Sequence, residues 1–234
     1  MTDLWIGLRR ALELIAAGDA MVMQIIALSL QVSGIALVIA AMIGLPFGAW
    51  LGLSRFRGRG LTVALVYTGM GLPPVVVGLF VYLFLSRQGP LGGLNWLFTP
   101  NAMIAAQTII AVPLIAGFAM AAVMGVDPEL RVQLTSLGAT RTQATRAVVA
   151  EARVGVVIAL VAGFGGIVSE VGAVMLVGGN IEGATRVLTT AIVLETRQGQ
   201  FDRAIALGLI LLFLSFVINL AVLALQGRGA MVKS

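Results

Sequence analysis

The chain has 234 residues, of which 59% are hydrophobic and 11% charged, with a mean hydropathy of +1.06; this balance excludes a soluble globule and indicates an integral membrane protein. It holds neither cysteine nor histidine, so disulfides, thiol chemistry and histidine metal sites or proton relays are excluded. The formal charge of +5 comes from arginines in short clusters between apolar runs, with no aromatic-interleaved basic platform; it belongs to membrane topology, and nucleic acid is not expected as a partner.

Within residues 4–18, Leu4, Leu8, Leu12 and Ile15 share one helical stripe, with Arg9, Arg10 and Glu13 elsewhere. Residues 1–19 are therefore expected to form an interfacial amphipathic helix. No ionisable residue follows from Ala20 to Ser54, a run far longer than the ~7–15 residue core of a cleaved signal peptide. Residues 20–227 read as an all-α transmembrane domain whose five crossings are expected at 25–53, 61–86, 101–125, 154–178 and 204–226. Each run is at or above the roughly 20 residues a spanning helix needs. Residues 228–234 are expected to form a cytoplasmic tail.

In the first crossing Gly44, Gly48 and Gly52 recur every four residues around Pro46, a spacing that lets two helix backbones approach closely. The neighbour could be another helix of the same chain or a second copy. The second crossing contains Gly69, Gly71, Pro73 and Pro74 in the run GMGLPP, which must interrupt helical hydrogen bonding near mid-membrane. Both a kinked core helix and a gate fit that break. Between Arg87 and Asp127 the chain is uncharged, and the third crossing begins only after the glycines and prolines of residues 89–100.

Residues 127–153 are the one long polar interval, carrying arginines at 131, 141, 146 and 153. Asp127 and Pro128 can open a short helix, and Gly138 can end it before a second. The fourth crossing then holds Gly163, Gly165, Gly166, Ser169, Glu170 and Gly172. Glu170 is the one charged residue type well inside an expected span, a functional candidate on cost alone; a structural brace and a pathway role both fit. Residues 178–203 read as an outer-face loop with a short helix near Val187–Leu194, where Arg186, Thr189 and Thr190 could meet an incoming anion.

Five crossings put the termini on opposite sides. With the N-terminus outside, the inner segments hold nine of the basic residues (three arginines at 55–59, four at 127–153, Arg228 and Lys233) and the outer segments six. That bias places the polar interval in the cytoplasm. A pathway through five helices of one subunit would be narrow, so a homodimer with the path on its axis is expected.

The polar interval resembles the cytoplasmic "EAA" loop of the permease subunits of ABC importers: Gly138 matches its glycine, Ser136–Thr140 its surroundings, and Val148 the later apolar position. It departs from the pattern at Val132-Gln133-Leu134, which lacks the opening acid, and at Ala150-Glu151 in place of the closing Leu-Pro. The runs GLPPVVVGLFVYLFLSRQGPLG and GGNIEGATRVLTTAIVLETRQGQFDRA are similar to the tungstate-type branch of that family, close to molybdate and sulfate permeases. The resemblance implies an importer permease fold whose coupling helix, with Ser136, Leu137, Gly138, Ala139, Thr140 and Arg141, docks on a cytoplasmic ABC ATPase subunit. It also implies an extracytoplasmic oxyanion-binding protein that delivers tungstate, and a cytoplasmic (inner) membrane of a bacterium or archaeon. Gly69, Gly71, Pro73, Pro74, Gly166, Ser169 and Glu170 are the expected pathway or gate residues. The chain itself should bind no cofactor: it has no G-x-x-x-x-G-K-[ST] loop and a single lysine, Lys233, so ATP and Mg belong to the partner ATPase. A pathway that must release a dianion is expected to use neutral donors such as Ser169, Thr68 or backbone amides. The alternatives are a molybdate or sulfate permease of the same family, a proton-coupled secondary transporter using Glu170, and an intramembrane enzyme built on Glu170 and Ser169.

Overall fold

The computed structural model of the chain describes residues 18–230 together with Arg9 and Glu13. The expected interfacial helix at 1–19 thus lies almost wholly outside the described residues, as do the last four residues of the tail. The described part is helical and contains no strand.

Helix α1 (Ala20–Leu53) opens where the Asp19 carboxylate accepts the Val22 N–H at 3.0 Å, five residues before the expected start, and runs unbroken through Pro46. Its 34 residues extend about 51 Å, more than the ~30 Å hydrocarbon core. It lies along α4 (Pro100–Met124), and the glycine stripe explains how. A Cβ on Gly44 would stand 3.0 Å from the Val112 carbonyl oxygen and one on Gly52 3.0 Å from that of Met120; at Gly48 it would collide outright with Ala116. The small residues therefore serve contact within the chain.

The expected second crossing is two helices, α2 (Arg59–Met70) and α3 (Pro74–Leu85), bent by 96°. Pro73 and Pro74 supply no N–H, so the turn is closed by Gly71 N–H to Tyr67 and Thr68 and by Leu72 N–H to Gly69, after which Pro74 takes the first helical position, where its missing N–H costs nothing. A short 3-10 turn (Gly92–Leu94) leads to α4, the most enclosed of the three long apolar helices, in contact with α1, α2, α3 and the helices of the fourth crossing.

The polar interval forms α5 (Pro128–Ser136) and α6 (Arg141–Glu151), and α6 bends by 58° into α7 (Arg153–Val168). The fourth crossing, expected as one helix over 154–178, stops at Val168 and restarts as α8 (Gly172–Gly178). Its glycines weaken the helix, and the side chains of Ser169 and Glu170 both bond locally to backbone, giving it an alternative to continuing. The short helix expected near Val187–Leu194 is α9 (Leu188–Arg197), but its first turn is not solvated: Leu188, Thr189, Thr190 and Ala191 are buried, with Leu188 and Ala191 against α1 and the last helix, α10 (Phe201–Ala230). Residues 228–230, expected in the tail, continue α10.

α1, α4 and α10 are each long and apolar enough to cross a membrane; counting the bent pairs α2 with α3 and α6 with α7 as one span each gives five. Leu212, Phe213, Phe216 and Leu220 of α10 point outward, as a lipid-facing surface requires.

Candidate functional site

Two features carry the candidate chemistry, one at the polar end of the bundle and one at its middle. At the polar end, Pro128 and the Asp127 carboxylate, which accepts the Glu129 N–H at 2.8 Å, start α5. It ends at Leu137 and Gly138. Gly138 has φ +89°, a left-handed conformation that a side chain would strain, and the Ala139 N–H closes back on Leu134 at 3.0 Å. α6 then begins with a reciprocal cap. The Thr140 hydroxyl accepts the Gln143 N–H at 3.3 Å, and the Gln143 side chain accepts the Thr140 N–H at 2.8 Å. Ser136, Leu137, Gly138, Ala139, Thr140 and Arg141 are thus one tight tip. Leu137 is its apex, an apolar side chain 86% exposed. Beneath the tip Ala144 and Val148 are buried, and Val148 packs in a cluster with Val123, Ala152 and Leu53. The apolar position of the loop motif is an anchor, and Gln143 is half of the cap.

At the middle, the two breaks meet. A Cβ on Gly69 would lie 2.7 Å from Pro113 and one on Gly166 3.2 Å from Leu114, so α2 and α7 seat on adjacent residues of α4. Beyond the breaks, α8 lies on the first turns of α3. A Cβ on Gly172 would meet Val75 at 2.6 Å, and one on Gly78 would meet Ala173 at the same distance. Gly69, Gly71, Pro73 and Pro74 on one side and Gly166, Ser169 and Glu170 on the other are therefore neighbours through α4, α3 and α8. Gly71 itself touches no neighbour closely; it serves the turn.

Glu170 is buried at 8% exposure, at a helix break and not within a continuous span. Its carboxylate accepts the Ala173 N–H at 2.8 Å, satisfying the start of α8. Two carbonyls at the break are also taken: Thr189 donates its hydroxyl to Glu170 at 3.2 Å, and the Gln107 amide donates to Ile167 at 3.3 Å. The bracing reading of Glu170 is the one its contacts support. Thr189 is part of the same brace, Thr190 closes the first turn of its own helix by bonding Val187, and Arg186 pairs with Glu182 at 3.1 Å with its side chain 15% exposed. Each of the three has a partner within the chain.

Ser169 and Thr68, the expected neutral donors, give their hydroxyl hydrogens to Gly165 and Ala64 of their own helices, each at 2.8 Å. Neutral polar groups converge elsewhere, on a small cavity between α1, α4, α9 and α10 lined in part by Ser29, Ser33, Gln107, Thr189 and Ser215. Ser29 accepts the Leu188 N–H at 2.8 Å and so holds the buried start of α9. The sequence signal for Gln107 was its place as a side-chain amide well inside a largely apolar span; Ser29 had none.

The sequence matches, over residues 44–228, the family described as the binding-protein-dependent transport system inner membrane component. It is 46% identical over 201 residues to a probable anion ABC transporter permease protein of Haloferax volcanii, covering 84% of this chain and 87% of that one. With the tungstate uptake system permease protein TupB of Peptoclostridium acidaminophilum it shares 42% identity over 220 residues, 94% of this chain and 96% of the relative. Among solved structures, a chain of a bacterial alginate ABC transporter, crystallised with a periplasmic protein bound to an alginate pentasaccharide, superposes with a TM-score of 0.73 at 22% identity, over 93% of this chain and 85% of that one.

Proposed function

The chain belongs to the binding-protein-dependent transport system inner membrane component family, and from that premise we propose that it is the permease subunit of an ATP-driven importer of tungstate. The observation that carries the substrate is the 42% identity to a tungstate permease across nearly the whole of both chains, so that docking tip, breaks and outer segments are all included. The subunit is non-catalytic and sits in the inner membrane, paired with an ATPase that hydrolyses ATP and with a periplasmic binding protein.

In this reading two copies form the pathway, and the tip at 136–141 faces the cytoplasm, where Leu137 inserts into a groove of the ATPase. Support for the docking role comes from the tip's construction. It is doubly capped and anchored by Val148, so a push on it reaches α6, α7 and the break at Glu170 as displacement instead of being absorbed by a floppy loop. Closure of the ATPases would shift the bent pairs between two packings. A proton-coupled carrier would need the Glu170 carboxylate free to cycle; it is committed to the Ala173 N–H.

The test is tungstate uptake by proteoliposomes holding the chain, its ATPase and the binding protein, with Leu137→Asp as the diagnostic variant. Leu137 is exposed, so the change leaves the fold intact. Uptake should require ATP and fall at least tenfold in the variant while the two copies still assemble. Uptake that is independent of ATP, or indifferent to Leu137→Asp, rejects the assignment.

A further inference from the structure

The loop from α1 to α2 and the turn from α4 to α5 enclose a cavity of about 420 Å³. Arg55, Arg59 and Arg131 line it against one acid, Asp127. Arg59 is held in place: its Nε donates to the Leu51 carbonyl at 3.1 Å and a terminal nitrogen reaches Met124 Sδ at 3.4 Å. Asp127 already uses one carboxylate oxygen on the Glu129 N–H. Among the described residues neither Arg55 nor Arg131 is in an ion pair. Three guanidinium groups around one cavity repel each other unless an anion lies between them, and the planar guanidinium fork matches the oxygens of a phosphate.

The cavity's depth says which phosphate. Trp50 stacks on Phe47 at 5.9 Å and on Phe56 at 5.0 Å, and all three rings are exposed at the same helix end. Aromatic side chains in that position mark the headgroup level of a bilayer. The rest of the wall includes Leu53, Val123, Val126 and Val148, apolar surface of a kind that suits the glycerol and upper acyl carbons of a lipid and not a hydrated inorganic ion.

We propose that this cavity binds the phosphodiester headgroup of an anionic lipid, with Arg55, Arg59 and Arg131 as its ligands, and that the bound lipid ties the α1–α2 loop to the base of the docking helix α5. The leaflet, cytoplasmic, rests on the topology proposed above; the binding does not.

The experiment is native mass spectrometry of the full chain, delipidated in detergent and titrated with phosphatidylglycerol or phosphatidylcholine. It needs neither ATP nor transport, so its failure is separate from failure of the importer assignment. The expected result is about one retained phosphatidylglycerol per chain, preferred severalfold over phosphatidylcholine. Arg131→Gln and Arg59→Gln should each weaken that preference about fivefold, and Arg57→Gln, outside the cavity, should leave it within about twofold. If Arg59→Gln fails to fold through loss of its bond to Leu51, Arg131→Gln carries the test alone. Equal retention of the two lipids, or a preference indifferent to Arg131→Gln, overturns the proposal. Displacement of the lipid by millimolar phosphate or tungstate assigns the cavity to a free oxyanion and overturns the lipid.

Discussion

A carboxylate buried among membrane helices is tolerated only if its oxygens are occupied, and at Glu170 one oxygen takes the Ala173 N–H at 2.8 Å. That contact needs an acceptor and no charge. Glu170→Gln should therefore keep ATP-dependent uptake within about twofold of the parent, whereas Glu170→Ala leaves a buried N–H unsatisfied and should cost about 1–2 kcal/mol, read as a lowered Tm in detergent. A folded Glu170→Gln variant that no longer transports would restore a proton-carrying role. Glycines separate by the same kind of reasoning. Gly138 is required by its own backbone, at φ +89°, and that was legible from its place between two polar helices. Gly48 is required by the Ala116 backbone of α4, and a spacing of four in a sequence names no such neighbour.

Elements bounded by local chemistry fell where the residues put them. Asp127 and Pro128 start α5, and Pro100 starts α4, because caps and first-turn prolines act within a few residues. The reciprocal cap of Thr140 and Gln143 holds α6 against the tip. Removing both sides of it, with Thr140→Val and Gln143→Leu together, should cost about 1–2 kcal/mol of local stability. Amide exchange at residues 141–145 should quicken, and uptake should fall while the two copies still assemble; unchanged exchange would mean that anchoring by Ala144 and Val148 suffices. Elements whose limits depend on remote partners were misjudged. The fourth crossing breaks in a glycine-rich stretch where local bonds compete with the helix, and Gln107, 60 residues away in sequence, and Thr189, 19 away, take up two of the carbonyls at the break. α9 enters the bundle because Ser29, 159 residues away, receives its first N–H.

Across the whole molecule, the proposed orientation puts the tip and the arginine-lined cavity on the cytoplasmic side and the α3–α4 connection outside. The natural chain has no cysteine, so single replacements report without background. Gln88→Cys should react with a membrane-impermeant maleimide in intact cells, and Ser136→Cys only after the membrane is opened. The reverse pattern inverts the topology and removes the tip from any ATPase.

Composition, hydropathy and punctuation by themselves determined that this is an all-helical membrane protein with spans at α1, α4 and α10 and a polar helix–turn–helix between the third and fourth crossings. Those features depend on partition into lipid and on bonds spanning three or four residues, both of which a linear sequence states directly. Tertiary structure alone decided that the glycine stripe of α1 faces α4, that the breaks at Gly71–Pro73 and Ser169–Val171 flank neighbouring residues of one helix, and that Glu170 caps rather than stands free. Each of these is settled by which backbone comes within about 3 Å of which other, a distance fixed only when the helices are packed together.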